Sequence, residues 1–558
     1  MMQFNIPPTV LTDSYKITHP FIYPKAQKMV AYGEMRQAYE MDPHDNRIVF
    51  YGIRYILGWD LIISTVMMVV VNPRDSIEKY VAKRWTLQDV EQAQLFYATH
   101  NAGFTPFPFP KDLFMKVNRT QAHLQMFPQI VNEYDGYFPV KIEALPEGTA
   151  HHVHVPAYQI TTEGEMSRLV TYLETLMTMI WYPITVATLS RRSRDLIQAA
   201  YDKSVDPDGV WTLESRLHDF GFRGCTSVEQ SIVGGTAHLL NFTGTDTMSA
   251  AFYAQFQLNG GEPVGNSIPA SEHSVMTSFV TEKEAMEAMI REFGGSVFAC
   301  VMDSYDYQRA LDSILPAVAS FKLEKGGFLV LRPDSGDSVD SVLQGLRAAE
   351  KVFGCDLNQK GYKVIRGCGV IQGDGISYKI LGRILDAVLA AGYSAQNCAF
   401  GMGGGLLQKL NRDTMSFATK LAHIVYEDGT KRDVMKHPTT DSGKISLPGV
   451  FDVVRNEQGI PMVYPRAENG VPHKDNLLQV VYDHGRVPLS ATAFAPVSTT
   501  EVANELVLSS PDALHAWPKF SEIKNRVQRE WEHLPKLYDP ISQKLRDKIQ
   551  VVLAVTTI

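Results

Sequence analysis

Four stretches in the middle of the chain decide the fold: SVFACVMDSYD (296–306), GFLVLRPDSG (327–336), VIQGDG (370–375) and CAFGMGGG (398–405). Each begins as a short apolar run and ends in aspartate or glycine, and helix-like sequence separates them. The aspartates Asp303, Asp334 and Asp374 are 31 and 40 residues apart, about one strand-plus-helix unit each. Strands that alternate with helices pair in parallel.

Earlier runs end in the same way, at HDFGFRG (218–224), FTGTDT (242–247) and ASEHS (270–274). Six or more such units, with polar residues at the carboxyl ends of the strands, predict a (β/α) barrel. A doubly wound open sheet is the structural alternative.

The sequence on either side of this region has a different pattern, which divides the chain into three segments. Residues 1–165 mix short strands and helices, and the alternating PFPFP run at 106–110 is predicted to be a loop. Residues 166–417 are predicted to form the barrel-like domain, in which catalytic residues would lie at the strand ends. Residues 418–558 return to strands and turns and are expected to pair back with the N-terminal region, before a C-terminal helix rich in Lys, Arg and Glu.

Composition limits the class of protein. A chain of 558 residues with 45% hydrophobic and 20% charged residues is globular and long enough for two or three units. The net charge of −8 argues against a general nucleic-acid binder. Anionic substrates could bind only where cations and backbone N–H groups are locally concentrated.

Several features point to a soluble cytoplasmic protein. The five cysteines are scattered and form no C-x-x-C pair, as in a reducing compartment. The first 15 residues do not resemble a secretory signal. The most apolar run, residues 61–71, has eleven residues, against the roughly 20 that a membrane span needs. We expect it to be a buried strand or helix.

Common catalytic motifs are missing from the sequence. It has no P-loop and no H-E-x-x-H motif, and the D-F-G within HDFG lacks the other kinase signatures. GMGGG lacks the last glycine of a dinucleotide-binding fingerprint. His151, His152 and His154 could place two imidazoles on one strand face, but nothing nearby completes a metal shell.

Two features favour a phosphate and sugar site. The glycines Gly403–Gly405 before LLQKL could cradle a phosphate at a helix N-terminus, or could form only a tight turn. Asp334 and Asp374 could bind ribose hydroxyls or hold Mg²⁺ through water, or could cap helices. Other charged residues at neighbouring strand ends favour a site: Arg223, Asp246, His273 and Arg332.

Nine blocks resemble, in the same order, the nicotinamide phosphoribosyltransferases: TDSYKITH, WYPITVAT, LHDFGFRG, FTGTDT, PASEHS, MDSYD, LRPDSG, VIQGDG and FG-x-GGGLLQKL-x-RD. The resemblance runs from about Asp13 to Val481 and is weakest at residues 57–135. Residues 490–519 look like an insertion, and FSEIKNRVQ (520–528) resembles the family's C-terminal helix. The chain from Arg529 onward is an extension without an interpretation.

The resemblance implies an α/β fold in which an irregular (β/α) barrel packs against a second α+β domain, built from the N- and C-terminal segments. It also implies a homodimer with shared active sites. Phe220 and Tyr15 would sandwich the pyridine ring. Asp246 would accept the carboxamide N–H, and Arg223 and Arg332 would line the same pocket.

The remaining assignments by resemblance concern the phosphoribosyl donor, 5-phosphoribosyl-1-pyrophosphate. Its ribose would bind to Asp334, Gly373 and Asp374. Asp303 would lie close to the reacting centre. The N–H groups of Gly403 and Gly404 would bind the 5-phosphate. The cations that would bind pyrophosphate from the other subunit are Arg36, Arg412, Lys420 and Lys436. Ala418 departs from the pattern, because a hydroxyl residue is expected there.

The implied reaction needs little acid–base catalysis. Pyrophosphate leaves C1 of the ribose and the pyridine nitrogen attacks, so catalysis is positioning together with charge stabilisation by Mg²⁺ and cationic side chains. The residues that hold Mg²⁺ are not identified. His273 resembles a histidine that these enzymes phosphorylate from ATP. The alternative for His273 is a structural histidine.

Three other functions are alternatives to nicotinamide phosphoribosyl transfer. A nicotinate or quinolinate phosphoribosyltransferase would have to accept a carboxylate substrate, which the charge of Asp246 would repel. A non-catalytic binding protein on the same fold is the third alternative. The presence of Asp246, His273, Asp334 and Arg412 argues against it.

Overall fold

The computed structural model describes residues 6–57, 81–100, 126–440, 442–485 and 517–556. The strands of these residues are β1 Ala26–Met35, β2 Arg47–Val49, β3 Lys141–Ala144, β4 Ala150–His152, β5 Pro156–Glu163, β6 Leu217–Asp219, β7 Val297–Val301, β8 Phe328–Arg332, β9 Cys355–Leu357, β10 Lys363–Ile365, β11 Cys368–Gln372, β12 Cys398–Met402, β13 Phe417–Tyr426, β14 Lys431–Asp433, β15 Phe451–Arg455, β16 Pro461–Pro465 and β17 Gln479–Asp483.

The helices of the same residues are α1 His19–Ile22, α2 Ile53–Leu57, α3 Leu87–Thr99, α4 Met126–Glu133, α5 Glu174–Thr178, α6 Trp181–Ser204, α7 Val228–Leu239, α8 Met248–Tyr253, α9 His273–Thr277, α10 Glu282–Phe293, α11 Tyr307–Arg309, α12 Leu315–Lys325, α13 Ser338–Phe353, α14 Tyr378–Ala390, α15 Gly404–Leu407, α16 Phe520–His533 and α17 Gln543–Thr556. Short 3-10 and π turns connect several of them.

The described residues divide into two compact units. Unit 1 lies within Met1–Thr185 and Arg412–Ile558, and unit 2 is Val186–Asn411. These boundaries do not coincide with those predicted at residues 165 and 417. β13 begins at Phe417 and pairs with β1, and just before it the Met415 carbonyl accepts from the Gln37 N–H at 3.3 Å, also in unit 1.

Unit 2 contains the predicted parallel sheet. Its five strands lie in the order β6-β12-β11-β8-β7, and every neighbouring pair is parallel. The middle residues Ala299, Val330, Ile371 and Ala399 of β7, β8, β11 and β12 form one buried apolar cluster. Two of the helices between the strands begin at residue types that favour N-caps, since Asp337 caps α13 and Ser377 caps α14.

Parallel bridges connect the two edges of this sheet. On the β6 side, Asp219 pairs with Thr245, and Gly244 pairs in turn with Asn266. On the β7 side, Ala270 pairs with Ala299. The segments at 243–246 and 266–271 thus take the places of two short strands, and unit 2 is an irregular (β/α) barrel, as predicted.

Unit 1 is built from both ends of the chain. Its six-stranded sheet has the order β14-β13-β1-β5-β3-β17, and the five neighbouring pairs are antiparallel. The C-terminal strands β13 and β17 pair with the N-terminal strands β1 and β3. This pairing confirms a second α+β domain formed by the N- and C-terminal segments.

Three predictions concern residues outside those that the structure describes. They are the buried apolar run at 61–71, the loop at 106–110 and most of the insertion at 490–519. Among the described residues, none of the helices has the length and apolar character needed to span a bilayer.

Candidate active site

The ring of Phe220 lies where β6 ends, beside the neighbouring strands of the barrel. Its backbone N–H donates to the Met402 carbonyl at 3.1 Å, which continues the pairing of β6 with β12. A Cβ on Gly401 would lie 2.1 Å from the ring, so only glycine fits there. A Cβ on Gly373 would lie 3.3 Å away, and the Arg332 guanidinium carbon is 5.8 Å from the ring centroid.

A histidine and two aspartates meet at the ends of β7 and β8. The Asp334 N–H donates to Oδ2 of Asp303 at 2.8 Å, and the Ser335 hydroxyl donates to the same oxygen. His273 Nε2 lies 3.4 Å from Oδ2 of Asp334 and 3.9 Å from Oδ1 of Asp303. The structure therefore brings together His273, Asp303 and Asp334, whose motifs are dispersed along the chain.

These three side chains differ in exposure. The Asp303 side chain is 3% exposed, Asp334 is 20% exposed and His273 is 46% exposed. Within the described residues, Oδ1 of Asp303 is buried without a hydrogen-bond partner. Arg332 Nη2 contacts Oδ2 of Asp334 at 3.1 Å and supplies a nearby positive charge. An exposed imidazole above partly buried carboxylates can accept a group from a bound ligand.

Asp334 and Asp374 are not helix caps, because Asp337 and Ser377 occupy those positions. A Cβ on Gly373 would lie 3.3 Å from Oδ1 of Asp334, which places the VIQGDG turn beside this aspartate. The side chain of Asp374 is exposed, and its carbonyl accepts from the Gln372 amide at 3.0 Å.

The glycine segment after β12 leads directly into α15, a single helical turn. Gly403 precedes this turn, and Leu406 N–H donates to its carbonyl at 3.0 Å. The first N–H groups of a helical turn have no partners within it. A Cβ on Gly405 would lie 2.4 Å from the Ile376 carbonyl, so the close approach of the two loops requires glycine there.

Several charged residues lie in the segments that follow β6 and pair with its end. Asp246 is exposed and accepts from the Ser267 hydroxyl. Arg223 is exposed in the short turn Phe222–Gly224. Asp219 is buried and accepts from the Gly221 N–H at 2.7 Å, and burial raises its pKa from an ordinary 3.8 to about 6. Burial also lowers the pKa of His218, which the nearby Asp246 partly offsets.

Unit 1 holds the residues that the resemblance assigns to the other subunit's site. Lys420 lies on β13 opposite Tyr32 of β1, and burial lowers its pKa. Glu174 opposes this effect on the Lys420 pKa, whereas Arg36, Lys436 and Lys16 reinforce it. Four cations therefore share the field of one acidic residue.

The other unit 1 positions are more exposed. Tyr15 is 53% exposed and makes an edge contact with His19, with ring centroids 5.1 Å apart. Arg412 is 58% exposed and contacts Asp413 at 3.4 Å. Ala418 is buried and pairs with Glu34.

Two interactions, one in each unit, were not predicted from the sequence. Ser304 lies 3.1 Å from Nδ1 of His273, and Lys16 forms an ion pair with Glu174. Ser304 lies in the MDSYD motif next to Asp303, and Lys16 lies in TDSYKITH next to Tyr15. Nothing in the sequence could have identified Glu174, which reaches Lys16 only through the fold.

Unit 1 contains two alternatives to this site, a cavity and a group of histidines. A cavity of about 940 Å³ lies on one face of the six-stranded sheet of unit 1. Charged groups that line it pair with one another, as in Lys28–Glu163 and Lys548–Asp433, so these side chains already have partners without a ligand. His151 is buried with a pKa lowered to about 4, and the described residues contain no group of three or more metal ligands.

The arrangement can be compared with known proteins. Residues 215–484 match the nicotinate phosphoribosyltransferase family. Over 488 residues the chain is 36% identical to a nicotinamide phosphoribosyltransferase of Xanthomonas campestris pv. campestris, with 85% of this chain and 94% of that protein covered.

The chain belongs to the nicotinate phosphoribosyltransferase family.

A second relative in this group of enzymes is the nicotinamide phosphoribosyltransferase of Acinetobacter baylyi. It is 28% identical over 524 residues, which cover 88% of this chain and 96% of that protein. Among solved structures, the human nicotinic acid phosphoribosyltransferase matches with a TM-score of 0.54 and 17% identity, over 97% of this chain and 100% of that one. At that identity the match supports the fold of this phosphoribosyltransferase and nothing more.

Proposed function

We propose that this phosphoribosyltransferase joins nicotinamide to 5-phosphoribosyl-1-pyrophosphate, making nicotinamide mononucleotide and pyrophosphate for NAD salvage. The relatives named nicotinamide phosphoribosyltransferase support this substrate. The single observation that carries the choice of base is the exposed carboxylate of Asp246, whose backbone N–H donates at 3.0 Å to the carbonyl of Asp219, the residue before Phe220. A carboxylate accepts an amide N–H and repels the carboxylate of nicotinate.

The pyridine ring stacks on Phe220, with Tyr15 of the other subunit on its opposite face. Gly401 and Gly373 support this role, because neither has a side chain that would collide with or crowd the Phe220 ring. A Cβ would lie 2.1 Å from the ring at Gly401 and 3.3 Å from it at Gly373. Arg223 and Arg332 line the pocket. The amide of the base points to Asp246, which the Ser267 hydroxyl orients.

The ribose lies over the ends of β8 and β11, bonded to Asp334, Gly373 and Asp374. Its 5-phosphate accepts hydrogen bonds from the N–H groups of Gly403 and Gly404. This places C1 of the ribose between the base and the pyrophosphate, so that the reacting atoms are held in line. Asp303 lies at the reacting centre.

The residues present fit Mg²⁺, since Asp303 Oδ1 is a buried carboxylate oxygen without a partner in the described chain. Asp303 and Asp334 would hold the ion together with phosphate oxygens and water, as is usual for Mg²⁺ at phosphate sites. When bound, the ion would neutralise charge that develops on the leaving pyrophosphate.

The cations of unit 1 bind the pyrophosphate in the other subunit's site. These residues are Arg36, Arg412, Lys420 and Lys436. Burial is the main cause of the lowered pKa of Lys420, and repulsion from Arg36 and Lys436 adds to it. A polyanion bound among these cations would relieve that repulsion, which supports the assignment. Lys16 is a further cation in this group.

ATP phosphorylates His273 and couples its hydrolysis to product formation. An imidazole nitrogen attacks the γ-phosphorus of ATP, the N–P bond forms and ADP leaves. Exposure of His273 supports access to ATP, and Asp303 and Asp334 would stabilise a positive imidazolium during the transfer.

The enzyme acts as a cytoplasmic homodimer with shared active sites, and it binds neither nucleic acid nor membranes. An exposed apolar ridge follows Asp246 at four-residue spacing: Met248 is 79% exposed, Phe252 61% and Phe256 51%. Such ridges are typical of protein interfaces. The scattered free cysteines support a reducing compartment.

The test of the proposed function is the choice of base by the purified enzyme. With 5-phosphoribosyl-1-pyrophosphate and Mg²⁺, we expect product from nicotinamide at much higher kcat/KM than from nicotinate. Asp246→Asn removes the charge and should reduce this preference on the order of tenfold. The matched control Asp386→Asn alters an exposed aspartate of α14 and should leave the preference unchanged.

Equal use of the two bases by the unmutated enzyme would contradict the role of Asp246. A preference for nicotinate would favour the nicotinate phosphoribosyltransferase alternative. No product from either base, with the protein folded, would favour the non-catalytic alternative.

A further inference from the structure

Two loops at the carboxyl end of the barrel are tied together by side-chain amides. We call residues 220–226 the base loop and residues 403–409 the phosphate loop. The names rest on the proposed function, which assigns the pyridine ring to Phe220 and the 5-phosphate to Gly403 and Gly404. The base loop follows β6, and the phosphate loop follows β12.

Gln408 spans the two loops. Its Nε2 donates to the Gly221 carbonyl at 2.8 Å and to the sulfur of Cys225 at 3.1 Å. The two hydrogens of this amide group therefore bond to the residues on either side of the turn Phe222–Gly224, which carries Arg223. The side chain is half-buried, so water competes only partly for these bonds.

Gln230, near the start of α7, makes the reverse connection. Its Oε1 accepts from the N–H of Thr226 at 2.7 Å and from the Thr226 hydroxyl at 2.9 Å. Its Nε2 donates to the Leu407 carbonyl at 3.2 Å. A second glutamine amide therefore connects the end of the base loop to the phosphate loop.

The glycines of the base loop allow this close contact. A Cβ on Gly221 would lie 2.7 Å from the Leu407 side chain, and one on Gly224 would lie 2.7 Å from Oε1 of Gln408. A Cβ on Gly403 would lie 3.2 Å from the Phe220 carbonyl. The two loops are thus packed directly on each other along their length.

We propose that Gln408 and Gln230 are positioning residues that hold the base loop on the phosphate loop and thereby orient Phe220 and Arg223 for the pyridine ring. The phosphate loop is fixed by its own helical bonds, including Leu407 N–H to the Gly403 carbonyl at 3.2 Å. The base loop has little regular structure beyond the turn Phe222–Gly224. Loss of the glutamine bonds should therefore disturb the base more than the phosphate.

The experiment compares full-length enzymes with Gln408→Leu, Gln408→Glu and a control, Gln359→Leu, which alters an exposed glutamine outside both loops. We expect Gln408→Leu to raise KM for nicotinamide roughly five- to tenfold, the usual effect of losing one or two hydrogen bonds. KM for 5-phosphoribosyl-1-pyrophosphate should change less than twofold. The control should match the unmutated enzyme in both constants.

Gln408→Glu separates donation from packing. It keeps the shape of the side chain but places a carboxylate oxygen against the Gly221 carbonyl. We expect at least as large an increase in KM for nicotinamide as with Gln408→Leu. If Gln408→Glu behaved like the unmutated enzyme, the hydrogen bonds would not position the loop and the proposal would be overturned.

A second measurement does not depend on the proposed function. Amide hydrogen exchange of residues 220–226 should be faster in Gln408→Leu than in the control, with no substrate present. Unchanged exchange would overturn the connection between the loops, even if the unmutated enzyme made nicotinamide mononucleotide. Faster exchange with an unchanged KM for nicotinamide would overturn the positioning role. Failure of the unmutated enzyme to make product would instead count against the proposed function.

Discussion

His273 combines an exposed imidazole with polar groups at both ring nitrogens. Nδ1 lies 3.1 Å from the Ser304 hydroxyl, and Nε2 faces Asp334 and Asp303. A histidine with a purely structural role is usually buried and fully bonded, as His238 is between Ser190 and the Gly244 carbonyl. His273 is therefore better placed than His238 to react with a ligand.

Incubation with ATP and Mg²⁺ should give acid-labile phosphate on His273, detected by mass spectrometry. His273→Ala should abolish the stimulation of product formation by ATP and keep some basal synthesis, because the substrate contacts lie elsewhere. His533→Ala alters an exposed histidine of α16 and should retain full stimulation. Phosphate on another residue, or stimulation that survives His273→Ala, would contradict the coupling role.

Asp219 makes stability depend on pH in a defined direction. Its pKa is about 6 in the fold, because burial penalises the charged form, and 3.8 ordinarily. The folded state therefore holds the proton more tightly than the unfolded state. This contribution is fully stabilising below about pH 4 and is lost as the pH rises to about 6.

Asp219→Asn removes this titration and keeps the acceptor for the Gly221 N–H. Relative to the unmutated protein, the variant should gain on the order of 1–3 kcal/mol in free energy of unfolding at about pH 7.5, and less at about pH 5. Urea denaturation at the two pH values measures the difference. An equal effect at both values would show that Asp219 does not titrate as described.

At the scale of single elements, helix α16 shows how the C-terminal extension is fixed to unit 1. Trp531 is 1% exposed, and the Arg47 guanidinium lies 4.1 Å from its ring centroid. Arg47 also donates to the Trp531 carbonyl at 3.2 Å and to Asp45 at 2.7 Å. The extension from Arg529 onward, which had no interpretation from sequence, is thus part of the core of unit 1.

Trp531→Ala should lower the free energy of unfolding by about 3–5 kcal/mol, as expected for removal of a large buried aromatic side chain. Gln528→Ala, at an exposed position of the same helix, should change it by less than about 0.5 kcal/mol. Denaturation followed by circular dichroism compares the two. Similar stability of both variants would mean that α16 is not packed as described.

At the scale of the whole molecule, the proposed site needs residues from two chains. Phe220, Asp246, His273 and Asp334 belong to unit 2, whereas Tyr15, Arg36, Arg412, Lys420 and Lys436 belong to unit 1. If the second set serves the partner's site, a two-fold dimer has two identical composite sites. Complementation between inactive chains tests this arrangement.

Asp246→Ala and Arg412→Ala chains should each be nearly inactive alone. Co-expressed with different tags, they should form mixed dimers in which one site carries both defects and the other carries neither. Activity should return to about half the unmutated value per mixed dimer. Mixed dimers that form but remain inactive would show that the sites are not shared in this way.

The sequence by itself determined the class of fold and predicted which strand ends carry polar residues and glycines. Apolar runs that end in polar residues, repeated at one strand-plus-helix spacing, require parallel strands, and parallel strands bring their carboxyl ends to one edge. The location of Asp303, Asp334 and the glycine turns at the ends of strands could therefore be predicted. Local pattern carries this information because strand formation and burial follow from neighbouring residues.

Tertiary structure alone decided the contacts that join distant segments. The bridges at Gly244 and Ala270 complete the barrel, but the sequence around these residues shows no strand pattern. An isolated bridge forms where another segment of backbone lies alongside, and only the fold decides which segment that is. The same holds for Gln408 at the Gly221 carbonyl and for Glu174 beside Lys16. The buried state that raises the pKa of Asp219 is likewise a property of the packed barrel, because desolvation depends on all surrounding atoms and not on the HDFG motif.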